Sequence, residues 1–224
     1  MILSTFNPRI IEPRDWATLL FVLTLLIIAI AKVVFESRFN DFLRLIVSDK
    51  YIKIYRDSSH LYSGFNIAVF IIHLISLSFL IQLTLSFFGY ASKTDWLLFI
   101  QIITFLSVFI LSKFLIEKII ATTFNMEEFV EQFNLQKVSY RTYITLLIFP
   151  IDVVLFYNNF LSKEIFYTLI VVLLATNALT YVILLKNYQN LLLGKLFYFI
   201  LYLCALEIAP YYFMYYWFTK NSVL

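Results

Sequence analysis

The chain has 224 residues, of which 62% are hydrophobic and only 14% charged, whereas a soluble domain carries about a quarter charged residues. Such a chain cannot cover a water-facing surface with polar groups, which excludes a soluble globular enzyme and a disordered tail. A net charge of +3 is too small for a nucleic-acid binder, and the single Cys204 excludes an internal disulfide or a multi-cysteine metal site.

A bilayer core of ~30 Å is crossed by ~20 apolar residues in a helix. The first stretch that qualifies is 16–35. Ala29-Ile30-Ala31 resembles a signal-peptidase site, but the long leader with Glu12 and Asp15 is not a typical n-region, so an uncleaved span is expected. Next, Phe39, Phe42, Leu43 and Ile46 recur at i, i+3, i+4, i+7 with Arg38, Asp41 and Arg44 between them. This predicts an amphipathic helix over 38–56 lying in the headgroup plane. From Glu36 to Ser63 there are five basic and four acidic residues, so no polybasic lipid switch is indicated.

Spans are then predicted over 64–88 and 96–124. The second of these carries Lys113, Glu117 and Lys118 in its last third. Lys113 and Glu117 are one turn apart and can pair, and a helix projecting beyond the bilayer would let the lysines snorkel. A second interfacial helix is predicted over 126–138, with Met126, Phe129, Val130 and Phe133 on one face. Each interfacial segment has two readings. It closes the bundle at the headgroups, or it presents a docking surface for a partner or lipid through Phe39, Phe42, Arg44 and Ile46, or through Phe129, Val130 and Phe133. Further spans follow over 142–160, 164–185 and 196–218. The expected fold is all-α: a polytopic bundle of six spans with two interfacial helices, forming one integral membrane domain over 1–224.

The three glycines, Gly64, Gly89 and Gly194, all fall at span boundaries. They read as turn residues, and no GxxxG face exists. Assigning alternate sides to successive loops puts twelve Lys and Arg on one side and five on the other. The first side is then cytoplasmic and both termini periplasmic. Trp16, Trp96 and Trp217 all fall on the far side, where an aromatic belt belongs.

Ionisable groups within a span are costly, so their depth is informative. His73, Asp152, Asn177 and Glu207 each sit near the middle of a span and would face inward, forming a mid-membrane polar cluster. Pro150 and Pro210 each free a backbone carbonyl close to a carboxyl group. His73 is the obvious partner for Asp152 or Glu207, as an ion pair, a neutral hydrogen bond or a proton relay. A satisfied cluster that sets helix register needs the same residues. Nothing in their spacing demands a metal or cofactor. HExxH, GxSxG and phosphate-loop patterns are absent from the sequence.

Ser92-Lys93-Thr94-Asp95-Trp96, Phe114-Leu115-Ile116-Glu117-Lys118-Ile119-Ile120-Ala121, Phe133-Asn134-Leu135-Gln136-Lys137 and Leu203-Cys204-Ala205-Leu206-Glu207-Ile208-Ala209-Pro210 resemble a family of Bacteroidota membrane proteins catalogued as a domain of unknown function. The resemblance implies an inner-membrane protein of a diderm bacterium and carries no catalytic residues over. By association it implies envelope machinery such as gliding motility or type IX secretion.

Three functions are therefore expected to compete. The first is a non-enzymatic subunit or assembly factor of an inner-membrane complex, with the lipid bilayer and other membrane proteins as partners. The second is a proton-coupled transporter or proton-conducting element using His73, Asp152 and Glu207. The third is an intramembrane enzyme acting on lipid.

Overall fold

The computed structural model describes residues 14–45, 51, 54–55, 63–123, 127–158, 163–187 and 212. Among them there are helices and no strands. The helices are α1 (Asp15–Val34), α2 (Glu36–Leu43), α3 (Gly64–Phe87), α4 (Trp96–Thr123), α5 (Glu127–Tyr157) and α6 (Lys163–Asn187). Four helical stretches are long and apolar enough to cross a membrane: α1, α3, α4 and Val130–Tyr157 of α5. In α6 the apolar stretch is the shorter Phe166–Thr180. The chain is a membrane protein by this criterion. The predicted sixth span, 196–218, with Glu207, Cys204 and Trp217, lies outside the described residues.

The ends of these helices follow from local chemistry. Ser63 caps α3, its hydroxyl accepting from the Asn66 amide. Asp95 does the same for α4, accepting from the amides of Leu97 and Leu98. Gly89 turns the chain after α3 with a φ of 80°, a conformation open to glycine and strained for other residues. At Gly64 an added Cβ would meet the Phe35 ring at 3.2 Å, so glycine there lets α2 approach the start of α3.

The second predicted interfacial helix is corrected. Residues 127–157 form one continuous helix of 31 residues, joining the predicted segments 126–138 and 142–160. No glycine or proline separates them, so nothing stops the helix between Val138 and Thr142. Pro150 lies inside α5, exposed, and does not end it. Several polar residues of its first half are interior. Gln132, Asn134, Gln136, Lys137 and Ser139 are all buried in the bundle, as intramembrane polar groups require. Val130 and Phe133 are buried among them, so they form no free docking face. The Phe129 side chain lies outside the described residues.

Of the first interfacial segment only α2 is described as a continuous helix, and its Phe39 and Phe42 side chains are covered by the chain itself while Leu43 is exposed, which leaves these two phenylalanines no docking role. Phe39 and Phe42 are buried, with Phe42 against Tyr51, Phe65 and Tyr143. Arg38, placed by the pattern on a solvated side, is also buried. Its guanidinium donates to the Ser63 hydroxyl at 2.6 Å and the Asn66 side-chain oxygen at 3.1 Å, and lies over the Tyr55 ring. Burial pushes the Tyr51 phenol above its ordinary range, with nearby Arg38 acting against this. Arg44 is exposed, and Ile46 lies outside the described residues.

Two aromatic-rich cores stack along the bundle. One gathers Ala17, Phe21, Phe79, Phe99, Phe149, Phe156 and Phe166. The other gathers Phe39, Phe42, Leu45, Tyr51, Phe65 and Val69. The first core marks the tryptophan end. Trp16 Nε1 donates to the Thr94 carbonyl at 3.2 Å, which brings the start of α1 to the turn between α3 and α4. Aromatic interdigitation thus replaces the small-residue packing that many membrane helix pairs use.

Candidate functional site

Two of the four residues predicted for mid-membrane, His73 and Asp152, are buried where α3 packs on α5. Along α3 the order is Phe65 and Val69, then His73 and Ser76, then Phe79 and Leu83. All six are buried. α3 packs most extensively on α5, which supplies the facing groups, Thr145 and Asp152. On α5 the buried polar positions Gln132, Gln136, Ser139, Thr142 and Thr145 recur every three or four residues. They form one helical stripe, and Asp152 extends it after the apolar Phe149.

The hydrogen bonds assign directions. Thr145 Oγ1 donates to the Arg141 carbonyl at 2.9 Å, which commits its only proton. The 2.8 Å contact between Thr145 Oγ1 and His73 Nδ1 then has the imidazole as donor. Nδ1 therefore carries a proton, and Nε2 is the position that can gain or lose one. Further along, Ser76 Oγ donates to Asp152 Oδ2 at 2.6 Å, with the Thr145 carbonyl as a second acceptor at 3.4 Å. Asp152 is 0% exposed, and its Oδ1 has no hydrogen-bond partner among the described residues.

His73 and Asp152 thus lie along one seam, each bonded to its own hydroxyl, of Thr145 and Ser76 respectively. Of the two carboxyl partners the sequence offers His73, Asp152 makes no direct bond to it among the described residues. Asn177 does not join them. It is exposed on α6, its Nδ2 donating to the Leu173 carbonyl of its own helix at 2.9 Å. Glu207 lies outside the described residues. Thr145 and Ser76 were legible only as same-face neighbours: Ser76 is one turn from His73, and Thr145 two turns from Asp152.

A second buried polar feature had no signal in the sequence. Lys137 Nζ lies 2.9 Å from Glu117 Oε1, and both side chains are less than a tenth exposed. Glu117 on α4 was read as part of a projecting, snorkelling helix end. It is instead inside the bundle, tied to α5. Among the described residues no group of three or more His, Cys, Asp or Glu is placed to hold a metal ion.

A family model described as Domain of unknown function (DUF4271) matches residues 17–218. The chain belongs to the DUF4271 family. Every residue of the His73–Asp152 seam and the Glu117–Lys137 pair lies inside the DUF4271 match. No curated protein matches the chain, and no solved structure does.

An Asp152→Asn variant is expected to accumulate in membranes at wild-type level. Asparagine keeps an oxygen for the Ser76 hydroxyl, and that hydroxyl has the Thr145 carbonyl in reserve. The expected loss of stability is about 1 kcal/mol or less, measured by unfolding in mixed micelles. Asp152→Leu, which leaves the Ser76 hydroxyl only the longer bond to the Thr145 carbonyl, should lose more.

Proposed function

We propose that this DUF4271 protein is a non-enzymatic component of a larger assembly in a bacterial inner membrane, and that α4 is the helix it offers to other membrane proteins. The observation that carries this is the outer face of α4. Gln101, Phe105, Val108, Ser112, Leu115 and Ile119 are all exposed and follow one another at spacings of four, three, four, three and four. That is the heptad spacing that keeps one seam turned toward a partner helix. Only 11% of the apolar window of α4 is buried, the least of the four candidate spans. Gln101 and Ser112 interrupt an otherwise apolar stripe, and such groups act as interhelical glue when a neighbouring helix is present. The twelve-to-five division of Lys and Arg supports cytoplasmic placement of the Lys137 end and periplasmic termini.

The double substitution Gln101→Leu with Ser112→Leu should leave accumulation unchanged, since both are more lipophilic. It should strip co-purifying membrane proteins from the chain in mild detergent, each lost hydrogen bond weakening the contact by about 1 kcal/mol. A wild-type protein that always migrates alone would end this reading. So would a cysteine at position 108 that cross-links to the chain's own 196–218 segment.

A second reading is supported by Asp152 Oδ1. A fully buried carboxyl oxygen with no hydrogen-bond partner among the described residues, on the same seam as a buried histidine, suits a proton-handling element. In that case Asp152→Asn abolishes a proton-dependent activity while the protein still accumulates. A variant retaining full activity excludes it.

A further inference from the structure

Between α3, α4 and α5, on the Lys137 side of the seam, lies a cavity of about 250 Å³ whose walls are mainly apolar. That volume equals about eight water-sized groups. The apolar walls suit a hydrocarbon chain. Its deeper wall includes Phe70 and Ile110. Three cations, Lys113, Lys137 and Arg141, line it against one carboxylate, Glu117. Glu117 is engaged by Lys137. The Arg141 guanidinium is half-buried and makes no ion pair among the described residues. Asn134 also lines the cavity, is 4% exposed, and its Oδ1 has no hydrogen-bond partner among the described residues.

These groups are ordered by depth. Asn134 lies two turns, about 10 Å, from Arg141 along α5, toward the Glu127 end. Ile110 lies about one turn from Lys113 along α4 toward the opposite end. An amphiphile with a hydroxylated tip, an anion and a hydrocarbon tail has the same order. We infer that the cavity is a binding site for one anionic phospholipid of the surrounding bilayer. Its phosphate is held by Arg141 with Lys113 beside it, a headgroup hydroxyl donates to Asn134, and one acyl chain runs along Phe70 and Ile110. Guanidinium suits this role because its planar fork matches phosphate oxygens. The inference goes beyond the docking role of α4, which uses the opposite face of that helix.

The test uses the full chain reconstituted in vesicles of phosphatidylcholine and phosphatidylglycerol at a four-to-one ratio, then extracted and weighed intact by native mass spectrometry. The wild-type protein should retain one phosphatidylglycerol in preference to the more abundant neutral lipid. Arg141→Gln should reduce that retention about tenfold, as expected for one lost charge-assisted contact. Asn134→Leu, close in size and apolar, keeps the wall intact and should reduce it several-fold. It serves as the reporter if Arg141→Gln fails to fold. Retention of the two lipids in their vesicle ratio overturns the inference, as does phosphatidylglycerol binding unchanged in either variant.

Discussion

Replacing Lys137 with methionine is expected to destabilise the protein by about 3–5 kcal/mol. The pair with Glu117 is 2.9 Å long and buried on both sides. Its formation is a poor source of net stability, because both ions lose solvation. Breaking it is different. Methionine fills the volume of the lysine stem but removes the cation 2.9 Å from the buried Glu117 carboxylate, leaving only the cavity-lining Lys113 and Arg141 in its neighbourhood. The penalty is that of a buried charge stripped of its nearest partner, and it should appear as earlier unfolding in mixed-micelle titrations. Adding Glu117→Leu to Lys137→Met removes that charge and should recover most of the loss. Charge-independent damage to packing predicts the opposite, with the double variant at least as unstable as the single one. The pair bridges α4 to α5. α4 also packs on α3, so the pair adds to that attachment on its α5 side.

Much of this fold was legible because length and polarity are strong signals in lipid. The 64–88 and 96–124 stretches could be assigned to spans almost residue for residue, and Gly89 to a turn. His73 and Asp152 stood out because mid-span ionisable groups are rare. The failures share one cause. Amphipathic periodicity shows that a helix has two faces, but not which face meets lipid, water or protein. In 126–138 the pattern reads as a helix at the headgroups, closing the bundle or docking a partner, while Gln132, Gln136 and Lys137 are interior. Around Arg38 the polar side was assigned to water, while the guanidinium is sealed under Tyr55 and against Ser63. The Glu117–Lys137 pair joins two predicted elements twenty residues apart, and no spacing rule links such positions. The hydroxyl partners of His73 and Asp152 were hidden for a related reason. Ser and Thr are common in spans and mostly bond back to their own helix, as Ser78 does to Leu74 and Thr84 to Leu80.

The other large effect is expected at Phe79. This side chain is 0% exposed. Its ring lies 4.3 Å from Phe21, 4.5 Å from Phe99, 5.8 Å from Phe156 and 5.9 Å from Trp16, centroid to centroid. It therefore joins α1, α3, α4 and α5 at the tryptophan end. In water, Phe→Ala in a core costs about 3–5 kcal/mol, part of it from transfer of the ring out of solvent. Within a bilayer that part shrinks, because a separated helix keeps its phenylalanines in hydrocarbon. What remains is lost ring contact, about 0.5–1.5 kcal/mol per aromatic pair, together with an unfilled cavity. Phe79→Ala should thus cost about 3 kcal/mol, near the lower end of the aqueous range. Phe105 is the matched control: a mid-helix phenylalanine on α4 that is 51% exposed. Its replacement by alanine should change stability by no more than about 0.5 kcal/mol. Hydropathy treats the two rings alike, so the difference between them measures packing alone. Equal losses at both positions would mean that the bundle is held by lipid-facing surface and not by the aromatic knot around Trp16.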